Sequence, residues 1–339
     1  MCPLRLIPRI FLFDDDELSP EVRAQRVLNK GRLPALTRYL LDNPDNYVFS
    51  ALTASVDGDL RFESIAADGP GMRAGQIHIP MSARFLINDG QHRRAAIEQA
   101  LRENPDLGHE TIAVVFFHDA GLQRCQQMFA DLNRHAVRPS RSIGLLYDQR
   151  DDLAHIARLL AMRSPVFKGH IEMESSNLSK RSRKLFTLSA LHSGTRCLLQ
   201  GLELEKEQAA AIASAYWEVV DAQIPDWRLV RQRTLSAPDI RQDYIHSHGI
   251  ALHALGRLGN TLIKESSSPV RWRSSLRQLR MVDWSRSNSH WEGRAMTAGR
   301  VQKSERHITL TVNYLRNHLG LPLSADEQKA EDAHLRGES

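Results

Sequence analysis

One stretch, Arg84-Phe-Leu-Ile-Asn-Asp-Gly-Gln-His-Arg-Arg-Ala-Ala-Ile97, restricts the choice of fold more than any other in the chain. Arg84 to Ile87 suits a buried strand, Asn88-Asp89-Gly90 a tight turn, and Gln91 to Arg102 a helix. After a polar break at Pro105 and Gly108, Thr111 to Phe117 reads as a second buried strand. A strand that turns through glycine into a helix aims the helix's free N–H groups beyond the strand end, a place that favours anions and phosphate above all.

Helical spacing sharpens this. Ala96, Ile97, Ala100 and Leu101 form one apolar face with Arg93 in its middle, while Arg94 and His92 lie to either side. A guanidinium on a core-facing stripe requires a counter-charge. Asp89 or another carboxylate could supply it as a structural ion pair, and so could a ligand phosphate held by Arg93 and the turn.

A second polar cluster follows the second strand. Asp119 can cap a helix with apolar positions at Leu122, Cys125, Met128, Phe129 and Leu132. It leads into Asp131-Leu-Asn133-Arg134-His-Ala-Val-Arg138-Pro139-Ser140. Read plainly, Asn133 ends the helix and the arginines complement its dipole. Read functionally, this is the other wall of an anion pocket, with Asn133 on a base or ribose and Arg134 or Arg138 on phosphate.

Asp89-Gly90-Gln91-His92-Arg93 resembles the DGQHR signature of the DndB family, a component of bacterial DNA phosphorothioation (sulfur-modification) systems. The segment is also similar to the ParB/sulfiredoxin-type nucleotide-binding fold, in which a Gly-x-x-Arg turn and a later Asn-x-x-Arg segment before a proline hold nucleotide phosphates. Gln91 and His92 stand where ParB proteins carry charged residues. Stretches matching DndB run from Pro34 to Val56, through both polar clusters and Arg141 to Leu153, to Leu178–His192 and the Trp-containing C-terminal part. The resemblance implies an α/β N-terminal lobe over residues 1–140, with a small mixed ParB/sulfiredoxin-like sheet and helices. Residues 141–339 would form an all-helical, basic, DNA-binding lobe.

Charge agrees with that division. Residues 1–150 carry 18 basic and 19 acidic side chains, and the remaining residues carry 27 and 21, so the net charge of +5 belongs to the rear of the chain. Two segments concentrate it. Lys180-Arg181-Ser-Arg183-Lys184 places basic side chains beside hydroxyls ahead of a helix from Thr187 to Leu199, as either a phosphate-backbone contact or a solvated loop. Ser266 to Arg300 interleaves Trp272, Trp284 and Trp291 with Arg271, Arg273, Arg277, Arg280, Arg286, Arg294 and Arg300. Arg273, Arg277 and Arg280 would share a helix face able to track phosphates, and the indoles read as packing anchors.

Other elements read more simply. Leu4 to Phe13 suggests an edge strand or arm, followed by an acidic run at Asp14–Glu17 and a helix start at Ser19-Pro20-Glu21. Leu33 to Leu41 is helical, and Tyr47 to Phe62 has the form of a hairpin turning at Asp57-Gly58. A single helix is expected from Pro238 through His248 to Leu258. His246 and His248 read as ordinary helix histidines rather than metal ligands, and no metal is expected. Three widely spaced cysteines suit a reducing cytoplasm, and neither a signal peptide nor a membrane-spanning run is evident.

The resemblance implies a cytoplasmic, nucleoid-associated regulator that binds double-stranded DNA at its own operon promoter and represses the sulfur-modification genes. A nucleotide, ATP or CTP, would occupy a switch pocket at Asp89, Gly90, Gln91, His92, Arg93, Asn133, Arg134 and Arg138. The alternative is a nucleotide triphosphatase or phosphotransferase in which Arg93 clamps phosphate and Asp89 or His92 is the metal partner or acid–base group. A third reading has the DGQHR lobe docking other sulfur-modification proteins, and self-association into a homo-oligomer is compatible with each.

Overall fold

The structure, a computed structural model, describes residues 1–11, 28–80, 82–118, 127, 131 and 139–337. The chain divides into two compact units, Met1–Val137 and Arg138–Ser339.

The first unit is built on a three-stranded sheet. Its centre is β2 (Leu52–Asp57), antiparallel to β5 (Arg84–Asp89) and parallel to β7 (Val114–His118). Period-2 patterning explains the choice of centre: Leu52, Ala54 and Val56 are wholly buried on one face, and Thr53 and Ser55 are buried on the other. Helices Leu33–Asp42 (α2) and Gln91–Glu103 (α3) pack together, and Leu40, Ile97 and Ala100 join Leu52, Ala54 and Ile87 in the core. Phe11, Phe85 and Phe116 form an aromatic trio in the same unit.

Three expectations for this unit are corrected. The N-terminal segment is a strand only at Cys2–Pro3 (β1), paired with Thr111–Ile112 (β6). It then forms a 3-10 turn and a short helix, Ile7–Ile10 (α1). Pro8 has no N–H for a ladder but fits the first turn of a helix, and Leu4, Ile7 and Phe11 bury at helical spacing. The Asp57-Gly58 hairpin does not form either. Arg61–Ser64 (β3) pairs instead with Gly75–His78 (β4), and both strands are exposed. Finally, the second strand splits at Ala113 into β6 and β7, and β7 is an edge strand with Val115 and Phe117 exposed rather than a buried one. The helices expected after Ser19 and Asp119 lie outside the described residues, as does the acidic run at Asp14–Glu17.

The second unit is mainly helical: α4 (Arg141–Tyr147), α5 (Asp152–Arg163), α6 (Leu188–Leu199), α7 (Lys206–Asp221), α8 (Pro225–Arg231), α9 (Ala237–Asp243), α10 (Gly249–Glu265), α11 (Pro269–Ser275), α12 (Glu305–Leu319) and α13 (Ala325–Leu335). It is not all-helical. Two-residue strand pairs join Ile171–Glu172 (β8) to Phe186–Thr187 (β9) and Met296–Thr297 (β10) to Arg300–Val301 (β11).

Helices α6 and α10 form its centre. They approach so closely that a Cβ on Gly256 would stand 2.1 Å from the Gly194 carbonyl oxygen. Ser140, Asp151, Thr187 and Ser304 each accept a backbone N–H at a helix start, and Ser324 with Glu327 completes a capping box. Trp272, Trp284 and Trp291 are buried, which is the packing role expected of them.

The single helix expected from Pro238 to Leu258 is broken between Asp243 and Gly249. Tyr244 leaves the helix to bridge Ser285, and the Ile245 N–H donates to the Trp284 carbonyl at 2.9 Å. His246 and His248 therefore lie in the link rather than on a helix face.

Candidate functional site in the helical unit

The DGQHR turn has the expected backbone but a different charge balance. Gly90 sits at φ 111°, and a Cβ there would lie 2.4 Å from Leu52 Cδ2, so both conformation and space call for glycine. A register shift between Thr53 and Ala54 leaves Asn88 as an extra residue in β5. Asn88 is buried, donates from Nδ2 to Ser55 Oγ at 2.7 Å, and its Oδ1 has no partner among the described residues.

Arg93 points toward the sheet, as its place on the apolar stripe requires, and the chain itself answers its charge. Its Nη2 donates to Asp89 Oδ2 at 2.6 Å, and its Nη1 reaches the Ser50 and Ala51 carbonyls at 2.6 and 2.9 Å and the Ser50 hydroxyl. The structural ion pair is thus what forms. The more deeply buried arginine is Arg94, expected at the side of the helix. It donates to the Phe11 carbonyl at 2.9 Å and pairs with Glu98.

His92 Nε2 accepts the Asn29 N–H at 2.9 Å, and burial together with Arg32 holds its pKa below the ordinary imidazole value, as an acceptor nitrogen requires. Gln91 Oε1 accepts the Gly90 N–H at 3.1 Å. Of the second polar cluster, Asp131 accepts from Gln127 at 2.7 Å. Asn133, Arg134 and Arg138 lie outside the described residues.

The basic segments of the second unit are divided by the fold. Lys180, Arg181 and Arg183 are exposed, whereas Lys184 turns back and donates from Nζ to the Gly169 carbonyl at 2.8 Å. Arg271, Arg273, Arg277 and Arg280 are exposed. They do not share a helix face, because α11 ends at Ser275 and Arg277–Met281 is a 3-10 turn. Arg280 also donates to the Ala222 carbonyl at 2.8 Å. Arg294 is buried and held by Glu331 through bonds of 2.8 and 2.5 Å, so it belongs to the core.

A cavity of about 560 Å³ opens beside this basic surface, lined where β9 enters α6, where the link enters α10, and by the loop from Ser176 to Lys180. Lys180, Arg241, Arg286 and Lys303 line it, and among the described residues no Asp or Glu does. Arg241 donates to the carbonyls of Ser179 and Lys180 at 3.2 and 3.3 Å and to that of Lys184. Arg286 donates to the carbonyls of Gln242 and Gly299 at 3.0 and 2.6 Å. These acceptors are neutral. Among the described residues, none of the four cations forms an ion pair with a carboxylate, whereas Arg93, Arg94, Arg231 and Arg294 each have one.

The helix starts add to the positive field. Thr187 caps α6 through the Ala190 N–H, and α10 begins at His248 without a side-chain cap. Lys303 Nζ lies against the start of α10, 2.6 Å from where a Cβ on Gly249 would be. Desolvation and Arg141 hold Lys303 below the ordinary lysine value. Burial, Arg286 and Lys303 push His248 down to about 4, so it stays neutral and its Nε2–H donates to the Arg241 carbonyl at 2.8 Å. His253 is likewise pushed to about 4, by burial and then by Lys303, Arg257, Arg196 and Arg141. Chemically the arrangement can hold an anion.

Sequence reading found Lys180 but missed Arg241, Arg286 and Lys303 as one group, since they are distant in the chain and share no spacing. The nearest signal was Ile-His-Ser-His-Gly at 245–249, of which Ser247, His248 and Gly249 line the cavity. No group of three or more potential metal-ligating residues occurs among the described residues, and no helix there is long and apolar enough to cross a membrane.

No curated protein and no solved structure matches the chain. A family model for DndB, described as DNA-sulfur modification-associated, matches residues 1–322. That match spans both units and includes the DGQHR turn, and the chain belongs to the DndB family, whose work lies in DNA sulfur modification.

Proposed function

We propose that this DndB-family chain is a DNA-binding repressor of the gene cluster encoding the sulfur-modification enzymes, with the contact to DNA made by its helical unit. The observation that carries this reading is the set of cations around and beside the cavity, exposed at Lys180, Arg181 and Arg183 and unanswered by carboxylate at Arg241, Arg286 and Lys303. Charge supports it. Residues 138–339 hold 30 Lys and Arg against 22 Asp and Glu, whereas residues 1–137 hold 15 against 18. A polyanion gains most from such a surface because each phosphate neutralised releases counter-ions.

In this reading the first unit is a ParB/sulfiredoxin-like lobe that supports the regulator, and its DGQHR turn braces the lobe through Arg93. The test is a binding titration on the upstream region of the protein's own operon over a range of salt concentrations. A steep loss of affinity with salt, weakened by Lys180→Glu with Arg181→Glu, supports the reading. Affinity for that region no higher than for unrelated DNA would reject the repressor role, and a flat salt dependence would reject the phosphate contact.

A further inference from the structure

A surface that tracks a duplex needs exposed cations, but it does not need four of them converging on a concavity. The cavity is about 560 Å³, ample for one phosphoryl group with part of its carrier and too confined for a double helix. Its walls are of two kinds. Lys180, Arg241, Arg286 and Lys303 supply the charge, and Leu185 and Phe186 supply an apolar floor. The arginines are already oriented by backbone carbonyls, so their guanidinium planes are fixed in advance.

Like charges gathered without a counter-ion repel one another, and among the described residues none of these four cations pairs with a carboxylate, whereas Arg231 pairs with Asp221 and Arg294 with Glu331. An anion arriving from outside would relieve that repulsion.

We propose that this cavity binds a phosphomonoester, a doubly charged terminal phosphate, through Lys303, Lys180, Arg241 and Arg286. The site shares these four cations with the duplex contact proposed above, but phosphate binding there does not require the repressor role. Two sources share the chemistry: the phosphorylated end of a nucleic-acid strand, and a small free phosphate compound. Nothing covalent is required of the protein.

The test uses the full chain and three probes: inorganic phosphate, a short single strand with a 5′-phosphate, and the same strand with a 5′-hydroxyl. Calorimetric titration is expected to give saturable phosphate binding, weakened about tenfold or more by Lys303→Met, the loss expected when one charged hydrogen bond is removed. Lys180→Ala, at an exposed position, is expected to weaken it in the same direction and covers the case in which Lys303→Met does not fold. Tighter binding of the 5′-phosphorylated strand than of the 5′-hydroxyl strand assigns the site to strand ends. Equal binding of the two strands, with inorganic phosphate still bound, assigns it to a free phosphate compound. Absence of saturable binding by inorganic phosphate and by the 5′-phosphorylated strand would overturn the proposal, as would full retention in both variants. Arg277→Glu with Arg280→Glu separates the two readings, because it should weaken duplex binding and leave phosphate binding intact.

Discussion

Asp89 and Arg93 stand four residues apart across Gly90, and the carboxylate of the one accepts a 2.6 Å hydrogen bond from the guanidinium of the other. With the Ser50 and Ala51 carbonyls on its other nitrogen, Arg93 ties the start of α3 to the residues leading into β2. In this geometry Arg93 braces the turn. Arg93→Ala is expected to destabilise the first unit by about 2–4 kcal/mol, since it leaves two carbonyls and a carboxylate without their donor. Urea melts check the stability, and phosphate titration of the same variant should be unchanged. Unchanged stability with lost phosphate binding would return Arg93 to the role of ligand clamp.

Glycine at the same turn is required twice over, by φ of 111° and by the 2.4 Å approach to Leu52. Gly90→Ala is expected to cost about 2–4 kcal/mol, adding left-handed strain to overpacking. A thermal melt within a degree of the parent would show that the turn relaxes freely.

In the second unit Glu331 is buried, which by itself raises its pKa, but bonds from Arg294 and Asn313 reverse the effect and leave it below the ordinary carboxylate value. A carboxylate depressed in the folded state contributes stability above its unfolded pKa and loses it as pH falls through the folded one. Glu331→Gln should therefore lower stability by about 3–5 kcal/mol at neutral pH, by leaving Arg294 buried and unpaired. It should also flatten the loss below about pH 4. Denaturant melts at neutral and acid pH check both.

His248 and His253 add a second pH limb. Each is pushed to about 4 in the folded chain, below its unfolded value, so the unfolded state takes up the proton first as pH falls. Their contribution is complete above about pH 6.5 and declines toward pH 4. His248→Gln, which keeps a donor for the Arg241 carbonyl, should reduce that slope. Melting temperature measured from pH 7.5 to 4 reads the effect. Because an anion in the cavity would shield these imidazoles from Lys303 and Arg286, added phosphate should shallow the decline.

Arg277→Glu with Arg280→Glu should reduce affinity for the operon's upstream region and lower the salt slope by about two, one for each phosphate no longer neutralised. The two residues lie on a short 3-10 turn, so the change is not expected to disturb a helix. An unaltered slope in a filter or fluorescence titration would remove this turn from the DNA-binding surface.

Much of this protein was settled by order along the chain. The strand–glycine–helix unit at residues 84–103, the start of α6 at Thr187, the capping box at Ser324 and the inward tryptophans all follow from local chemistry. So does the gathering of positive charge in the rear of the chain. What local order could not settle was pairing and partnership. β2 pairs with β5 and β7 rather than with its chain neighbour β3, and Arg93 meets Asp89 and the residues before β2. Lys180, Arg241, Arg286 and Lys303 became one site because the chain leaves the helix at Tyr244 and α10 begins anew beside Lys303. Hydrogen-bonding propensity and hydrophobic period act over a few residues, and the sequence carries them openly. Whether a charge meets its opposite depends on distances in space, and only the folded chain decides those.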